Sequence, residues 1–144
     1  MEVPFIDEHR ELVPAPAEEV WPALVATVTH GLAAPAPLAA VLGTSPRHAT
    51  VGVLATGSTI VGFAAAEVVP PRLIRLAGRH RFSRYELVFT LEPASGGTVL
   101  AARSSAEFPG PHGFLYRTLV ITSGAHRLLV TRLLRTIARR ASTP

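Results

Sequence analysis

The candidate side chains for chemistry in this 144-residue chain are those of histidine, tyrosine, arginine and the carboxylates. The chain contains no cysteine. Disulfides, thiolate zinc sites and a cysteine nucleophile are therefore excluded. The six histidines are far apart, and no two of them have the i, i+4 spacing of metal ligands on one helix. The sequence contains no Gly-x-Ser-x-Gly elbow, phosphate loop or dinucleotide fingerprint. We therefore expect neither a metal ion nor another cofactor.

Two polar residues interrupt an apolar pattern near the C-terminus. When side chains are placed at 100° per residue, His126 and Thr122 fall within an apolar helical stripe, beside the small residues Gly124 and Ala125. An unpaired buried polar group costs about 1–3 kcal/mol, so both residues must hydrogen-bond neighbouring strands or line a ligand cavity. The stripe itself consists of Leu115, Leu119, Leu129, Val130, Leu133 and Ile137.

The remaining candidates lie on predicted strands. Tyr85 and Phe89 share the apolar face of an alternating segment, so Tyr85 is either a pocket residue or a core tyrosine with its hydroxyl at the rim. Arg103 either lines the cavity or forms a solvent-facing salt bridge with an acidic residue on a nearby strand. Glu67 is either a charge at a strand end or an acid inside the pocket. His9 lies among charged residues, and we interpret it as a solvent contact.

The scaffold that positions these residues is predicted from periodicity and from turn residues. We expect a strand over Phe5–Val13, a helix over Ala17–Thr29 and a short helix from about Pro37 to Leu42. A helical pattern then runs from Gly113 to about Ala141. Between the helices, short turns separate five predicted strands, which indicates an antiparallel sheet: Ala49–Ala55, Ile60–Val69, Arg72–Ala77, Ser83–Glu92 and Thr98–Phe108. The class is α+β, with the helices on one face of the sheet.

Composition sets the broader limits. The length suits one domain, residues 1–144, and 48% hydrophobic residues exclude a disordered chain. The apolar stretches are too short to span a bilayer, and Glu2, Asp7 and Glu8 do not fit a signal peptide, so we expect a cytoplasmic protein. The net charge of +4 comes from scattered arginines without an aromatic-interleaved patch, so we expect no nucleic-acid partner.

Several short segments together form a pattern: PAPAEEVW at 14–21, GRHRFSRYELVF at 78–89, FPG at 108–110 and SGAHR at 123–127. These segments and the order of the elements resemble the START-like (SRPBCC) superfamily of polyketide cyclases, aromatases and lipid-transport proteins. The resemblance implies a helix-grip fold. In that fold a curved antiparallel sheet of about six strands wraps around a long C-terminal helix, and two short helices follow the first strand. It also implies an elongated cavity for apolar ligands.

We therefore predict that the protein binds a small hydrophobic or aromatic molecule between the sheet and the C-terminal helix. Two alternatives stay open. The first is a polyketide cyclase, aromatase or dehydratase with His126 as the acid–base group and Tyr85 or Arg103 holding an enolate or carbonyl oxygen. The second is a scaffold or stress-response interaction protein; a homodimer also stays open. The predicted ligand-binding residues are Thr122, His126, Tyr85, Phe89, Arg103, Glu67, Leu119 and Leu129.

Overall fold

The chain forms an antiparallel sheet with helices packed on one of its faces. The computed structural model describes residues 4–31, 54–60, 63–80, 83–108, 110 and 124–142. Within these ranges the sheet has six strands in the order β1-β6-β5-β4-β3-β2. In chain order the elements are β1 Phe5–Val13, α1 Ala17–Gly31, β2 Thr59–Ile60, β3 Phe63–Val69, β4 Leu73–His80, β5 Ser83–Ala94, β6 Gly97–Glu107 and α2 Ala125–Ser142.

Most predicted elements are confirmed where the structure describes them. The first strand has the predicted bounds, and α1 extends two residues beyond Thr29. With fifteen residues, α1 is longer than the short helix that the family resemblance implies at this place. The predicted helix from Pro37 to Leu42 lies outside the described residues, as does most of the strand predicted over Ala49–Ala55. The last two residues of that predicted strand, 54 and 55, are not in a strand.

The strand predicted over Ile60–Val69 is wrong in one respect, because the structure divides it into β2 and β3. Ile60 pairs with Phe63 and Thr59 pairs with Ala64, so the two strands are antiparallel neighbours. Apart from Glu67 the segment has no charged or polar side chain, and such a run gives no alternation that could indicate where a strand turns back.

The prediction of one helix from Gly113 to Ala141 is also corrected. Gly124 has φ = +83°, outside the right-handed helical region, and α2 begins at the next residue. The Gly124 carbonyl accepts a hydrogen bond from the Leu128 amide at 3.0 Å. A glycine can adopt this conformation without the steric cost that a Cβ would add, so it interrupts the helical pattern at this point.

The core lies between the sheet and the two helices. Burying each large apolar side chain contributes about 1.5–3 kcal/mol, which makes this cluster the main source of stability. Its largest fully buried members come from β1, β4, β5, β6, α1 and α2: Phe89, Leu24, Ile74, Leu76, Leu100, Leu134, Ile137, Val13, Val20 and Val28.

The β5–β6 hairpin contacts the junction between β1 and α1. The hydroxyl of Thr98 is buried and donates a hydrogen bond of 2.7 Å to the Ala15 carbonyl oxygen. Beside it, Gly97 has φ = +145°, and a Cβ on this residue would collide with the Val13 carbonyl oxygen. The absence of a side chain at Gly97 therefore lets the two backbones approach each other.

We expect Gly97→Ala to lower the free energy of unfolding by about 2–4 kcal/mol, because backbone strain and a steric collision add together. Gly57 provides the control: its φ is +95°, but a Cβ there would meet nothing within 4 Å. Gly57→Ala should therefore cost only about 1–2 kcal/mol. Urea denaturation of both variants measures the difference, and equal losses would contradict the proposed collision.

Candidate functional site

The side of the sheet that faces the helices has two halves that differ in their side chains. In the half next to α1, which we call the proximal half, Ile74, Phe89 and Leu100 are fully buried. The other end of the sheet face forms the distal half, which includes Asp7 on β1, Phe63 on β3, Tyr85 on β5 and Ser104 on β6. There Phe63 and Tyr85 are only partly buried. The chain enters α1 directly after β1 ends at Val13, which places that helix over the proximal half.

Two aromatic rings lie in contact in the distal half. The centroids of the Phe63 and Tyr85 rings are 5.2 Å apart, with an angle of 67° between their planes, the edge-to-face arrangement that aromatic pairs favour. The cross-strand partners of Tyr85 are Gly78 on β4 and Ala106 on β6. Both partners are small, so the strands beside the tyrosine ring carry little side-chain volume.

A histidine–carboxylate pair lies on the same side of the sheet. His9 Nε2 is 3.2 Å from Asp7 Oδ2, and the two side chains are 20% and 26% exposed. An ionised carboxylate only accepts hydrogen bonds, so Nε2 must carry the proton of this contact. In a neutral imidazole ring the other nitrogen, Nδ1, then holds the lone pair.

Ser104 completes this polar group from the neighbouring strand. It pairs with Asp7 in the β1–β6 register, and Ala102 pairs with His9. Ser104 is 4% exposed, and its hydroxyl oxygen has no hydrogen-bond partner among the residues that the structure describes. Directly opposite residues of an antiparallel pair have Cβ atoms about 4.5–5.5 Å apart, which places Ser104 next to the pair.

The interpretation of His9 as a solvent contact is therefore wrong: its side chain is four-fifths buried. Strand residues alternate between faces, so counting back in twos from the buried Val13 puts Glu11, His9 and Asp7 on the side that faces the helices. That periodicity could have placed His9 on the helix-facing side, but the many charged residues of this strand suggested a segment exposed to solvent.

Two predicted site residues lie on the opposite, outer face of the sheet. The guanidinium of Arg103 is exposed and lies 4.9 Å from the centroid of the Phe5 ring. Phe5 reaches the outer face because a β-bulge between Phe5 and Asp7 shifts the register. Glu67 pairs with Arg75, whose neighbours Ile74 and Leu76 face the helices, so Glu67 also points outward. Neither residue lies on the side expected for the cavity.

The predicted salt bridge of Arg103 is also not the contact observed. Within the described part of the chain, Glu107 approaches Arg84 instead, with Nη1 and Oε2 3.9 Å apart. Both side chains are more than one-third exposed, and pairs of this kind contribute little to stability. Glu86 lines an outer-face depression of about 670 Å³ together with Arg103.

The predicted helix residues have mixed outcomes. Leu129 is 65% exposed, so its placement on the buried stripe is wrong; the buried positions of α2 are Val130, Leu134 and Ile137. Thr122 and Leu119 lie outside the described residues. His126 belongs to the first turn of α2, and its role stays a prediction. Phe89 is fully buried in the core cluster of the proximal half.

The described ranges contain no group of three or more histidine, aspartate or glutamate residues arranged to hold a metal ion. Neither described helix is long and apolar enough to cross a membrane.

Comparison with known proteins gives matches to solved structures only. No protein-family model matches the chain, and no curated protein matches at a significant level. TTHA0849 from Thermus thermophilus is 18% identical, with a TM-score of 0.62 and coverage of 96% of this chain and 97% of that one. CalU16 from Micromonospora echinospora is 14% identical, with a TM-score of 0.52 and coverage of 93% and 82%.

DynU16, from the dynemicin biosynthetic locus, is 19% identical with a TM-score of 0.55. Its match covers 94% of this chain, which spans 46% of DynU16. Identities below one-fifth show a shared fold and no more. That fold is the α+β helix-grip architecture, with the antiparallel sheet set against the C-terminal helix.

Proposed function

We propose that the protein binds a small apolar or aromatic molecule on the helix-facing side of the sheet, in its distal half. The observation that carries this proposal is the change in side chains along one sheet face, from a fully buried apolar core to a partly buried aromatic pair beside the polar side chains of Asp7, His9 and the buried Ser104. Ligand pockets generally combine apolar and aromatic walls with a few polar groups that fix orientation. The distal half has this composition.

The fold supports the same proposal. The resemblance to the START-like superfamily implies a cavity between the sheet and the C-terminal helix, and we extend that expectation to this chain. DynU16 comes from a biosynthetic locus. That origin favours a biosynthetic small molecule as the class of ligand.

The proposal predicts that aromatic compounds stabilise the folded protein. A compound at one hundred times its dissociation constant should raise the free energy of unfolding by about 2.7 kcal/mol. For a chain of this size the melting temperature should rise by roughly 5–10 °C. Thermal denaturation with a panel of aromatic compounds measures the shift, and native mass spectrometry measures the stoichiometry. The proposal fails if no compound stabilises the protein and none forms a complex with it.

A further inference from the structure

We propose that Asp7, His9 and Ser104 form a hydrogen-bonding subsite that selects ligands carrying a hydroxyl group, such as a phenol or an alcohol, on an apolar ring system. This inference rests on the proposed binding function and specifies the ligand of the same site. We call these three residues the polar subsite.

The first argument is position. Asp7 and Ser104 are direct partners across β1 and β6, and His9 is the diagonal neighbour of Ser104. Ser104 is in turn the diagonal neighbour of Tyr85, which pairs with Ala106. Diagonal neighbours lie about 7–8 Å apart, a distance that a two-ring aromatic molecule spans. A ligand could therefore contact the tyrosine ring and the polar subsite together.

The second argument is hydrogen-bonding capacity. When the imidazole is neutral, donation from His9 Nε2 to Asp7 leaves the lone pair of Nδ1 able to accept a hydrogen bond. The Ser104 hydroxyl can donate or accept, and its oxygen is buried with no partner in the described ranges. An unpaired buried hydroxyl destabilises the folded protein until a partner binds it. One ligand hydroxyl can donate to Nδ1 and accept from Ser104, so a single group satisfies both.

The third argument is that Asp7 determines which partner donates the hydrogen bond between His9 and the ligand. Because a carboxylate cannot donate, it makes Nε2 the donor, and in the neutral imidazole Nδ1 is then the acceptor. An ether or a bare hydrocarbon of the same shape has no proton for that nitrogen. The polar subsite should therefore discriminate by the presence of a donor hydrogen and not by ring size.

Three probes of closely similar shape test the proposal: naphthalene, 2-methoxynaphthalene and 2-naphthol, titrated by calorimetry or intrinsic fluorescence. The wild-type protein should bind 2-naphthol about tenfold or more tightly than 2-methoxynaphthalene. Ser104→Ala and His9→Phe should each reduce that ratio severalfold and leave the affinity for naphthalene within about twofold. Ser105→Ala is the matched control, because its side chain lies on the outer face and the ratio should not change.

Asp7→Asn tests the role of the carboxylate. An asparagine amide can donate to Nε2, which moves the ring proton to Nδ1 and removes the acceptor that 2-naphthol needs. This variant should lose most of the preference for 2-naphthol, although His9 and Ser104 are intact. His9→Leu, which also lacks a hydrogen-bonding group, replaces His9→Phe if the latter fails to fold by circular dichroism.

The outcomes separate the two proposals. If naphthalene binds and the wild-type protein does not prefer 2-naphthol over 2-methoxynaphthalene, the polar subsite is wrong and the binding function stands. The polar subsite is also wrong if the preference survives in both Ser104→Ala and His9→Phe. If none of the three probes binds, both proposals are overturned.

Discussion

Replacing Phe89 by alanine should lower the free energy of unfolding by about 3–5 kcal/mol, the usual cost of truncating a buried aromatic residue. Phe89 has no exposed surface and belongs to the core cluster formed by the sheet and both helices. Truncation removes apolar contacts and leaves a cavity that close-packed neighbours can only partly fill. Urea denaturation at constant m value measures the loss.

Val88→Ala is the matched control for this experiment. Val88 is the preceding residue of β5, and its side chain lies on the outer face between Arg75 and Arg103. Its truncation should cost about 1 kcal/mol or less. Because Phe89 is also a predicted ligand contact, the same variant tests whether its side chain belongs to the core or to the binding pocket. A loss below about 1 kcal/mol combined with loss of naphthalene binding would show that Phe89 is a pocket wall and not a core residue.

Tyr85→Ala should weaken the binding of naphthalene by roughly 30- to 150-fold, which corresponds to about 2–3 kcal/mol. Removal of the ring takes away an apolar surface of the distal half and ends its edge-to-face contact with Phe63. Calorimetric titration of the wild-type and variant proteins measures the change. Tyr85→Phe keeps the ring and should retain naphthalene affinity.

A second control uses an aromatic residue on the other side of the sheet. Phe5 is 56% exposed and contacts Arg103 on the outer face. Phe5→Ala should therefore leave naphthalene affinity unchanged. If Phe5→Ala weakens binding as much as Tyr85→Ala does, the ligand binds the outer face, and the distal half is not the site.

Local pattern predicted much of the fold. In β5 the alternation of apolar and polar residues placed Leu87, Phe89 and Leu91 on one face, and all three are buried. The acidic residues Glu18 and Glu19 indicated the first turn of α1, where they lie. These predictions succeed because a strand repeats every two residues and a helix every 3.6, so the side chains of one short segment report its geometry.

The same local reasoning failed at two places: it did not show that one apolar run contains two strands, and it did not show which residues of α2 are buried. The run over Ile60–Val69 has no alternation, and only its pairing shows that it contains two antiparallel neighbours. In α2, Leu129 fitted the helical stripe, but packing against α1 and β1 buries Val130 and Leu134 and leaves Leu129 exposed. Burial depends on what covers a residue, and the sequence of one segment does not contain that information.

By itself, the sequence determined the α+β class, the antiparallel sheet and the face on which Tyr85 lies, because these follow from periodicity within short segments and from the short turns between them. It also excluded all cysteine chemistry, since the chain has no cysteine. Tertiary structure alone decided that Asp7 and His9 lie beside Ser104 and that Arg103 lies on the outer face with Phe5. The physical reason is that the register between β1 and β6, with its β-bulge, decides which residues of the two strands are neighbours. Neither the register nor the bulge produces a periodic pattern in the sequence of either strand.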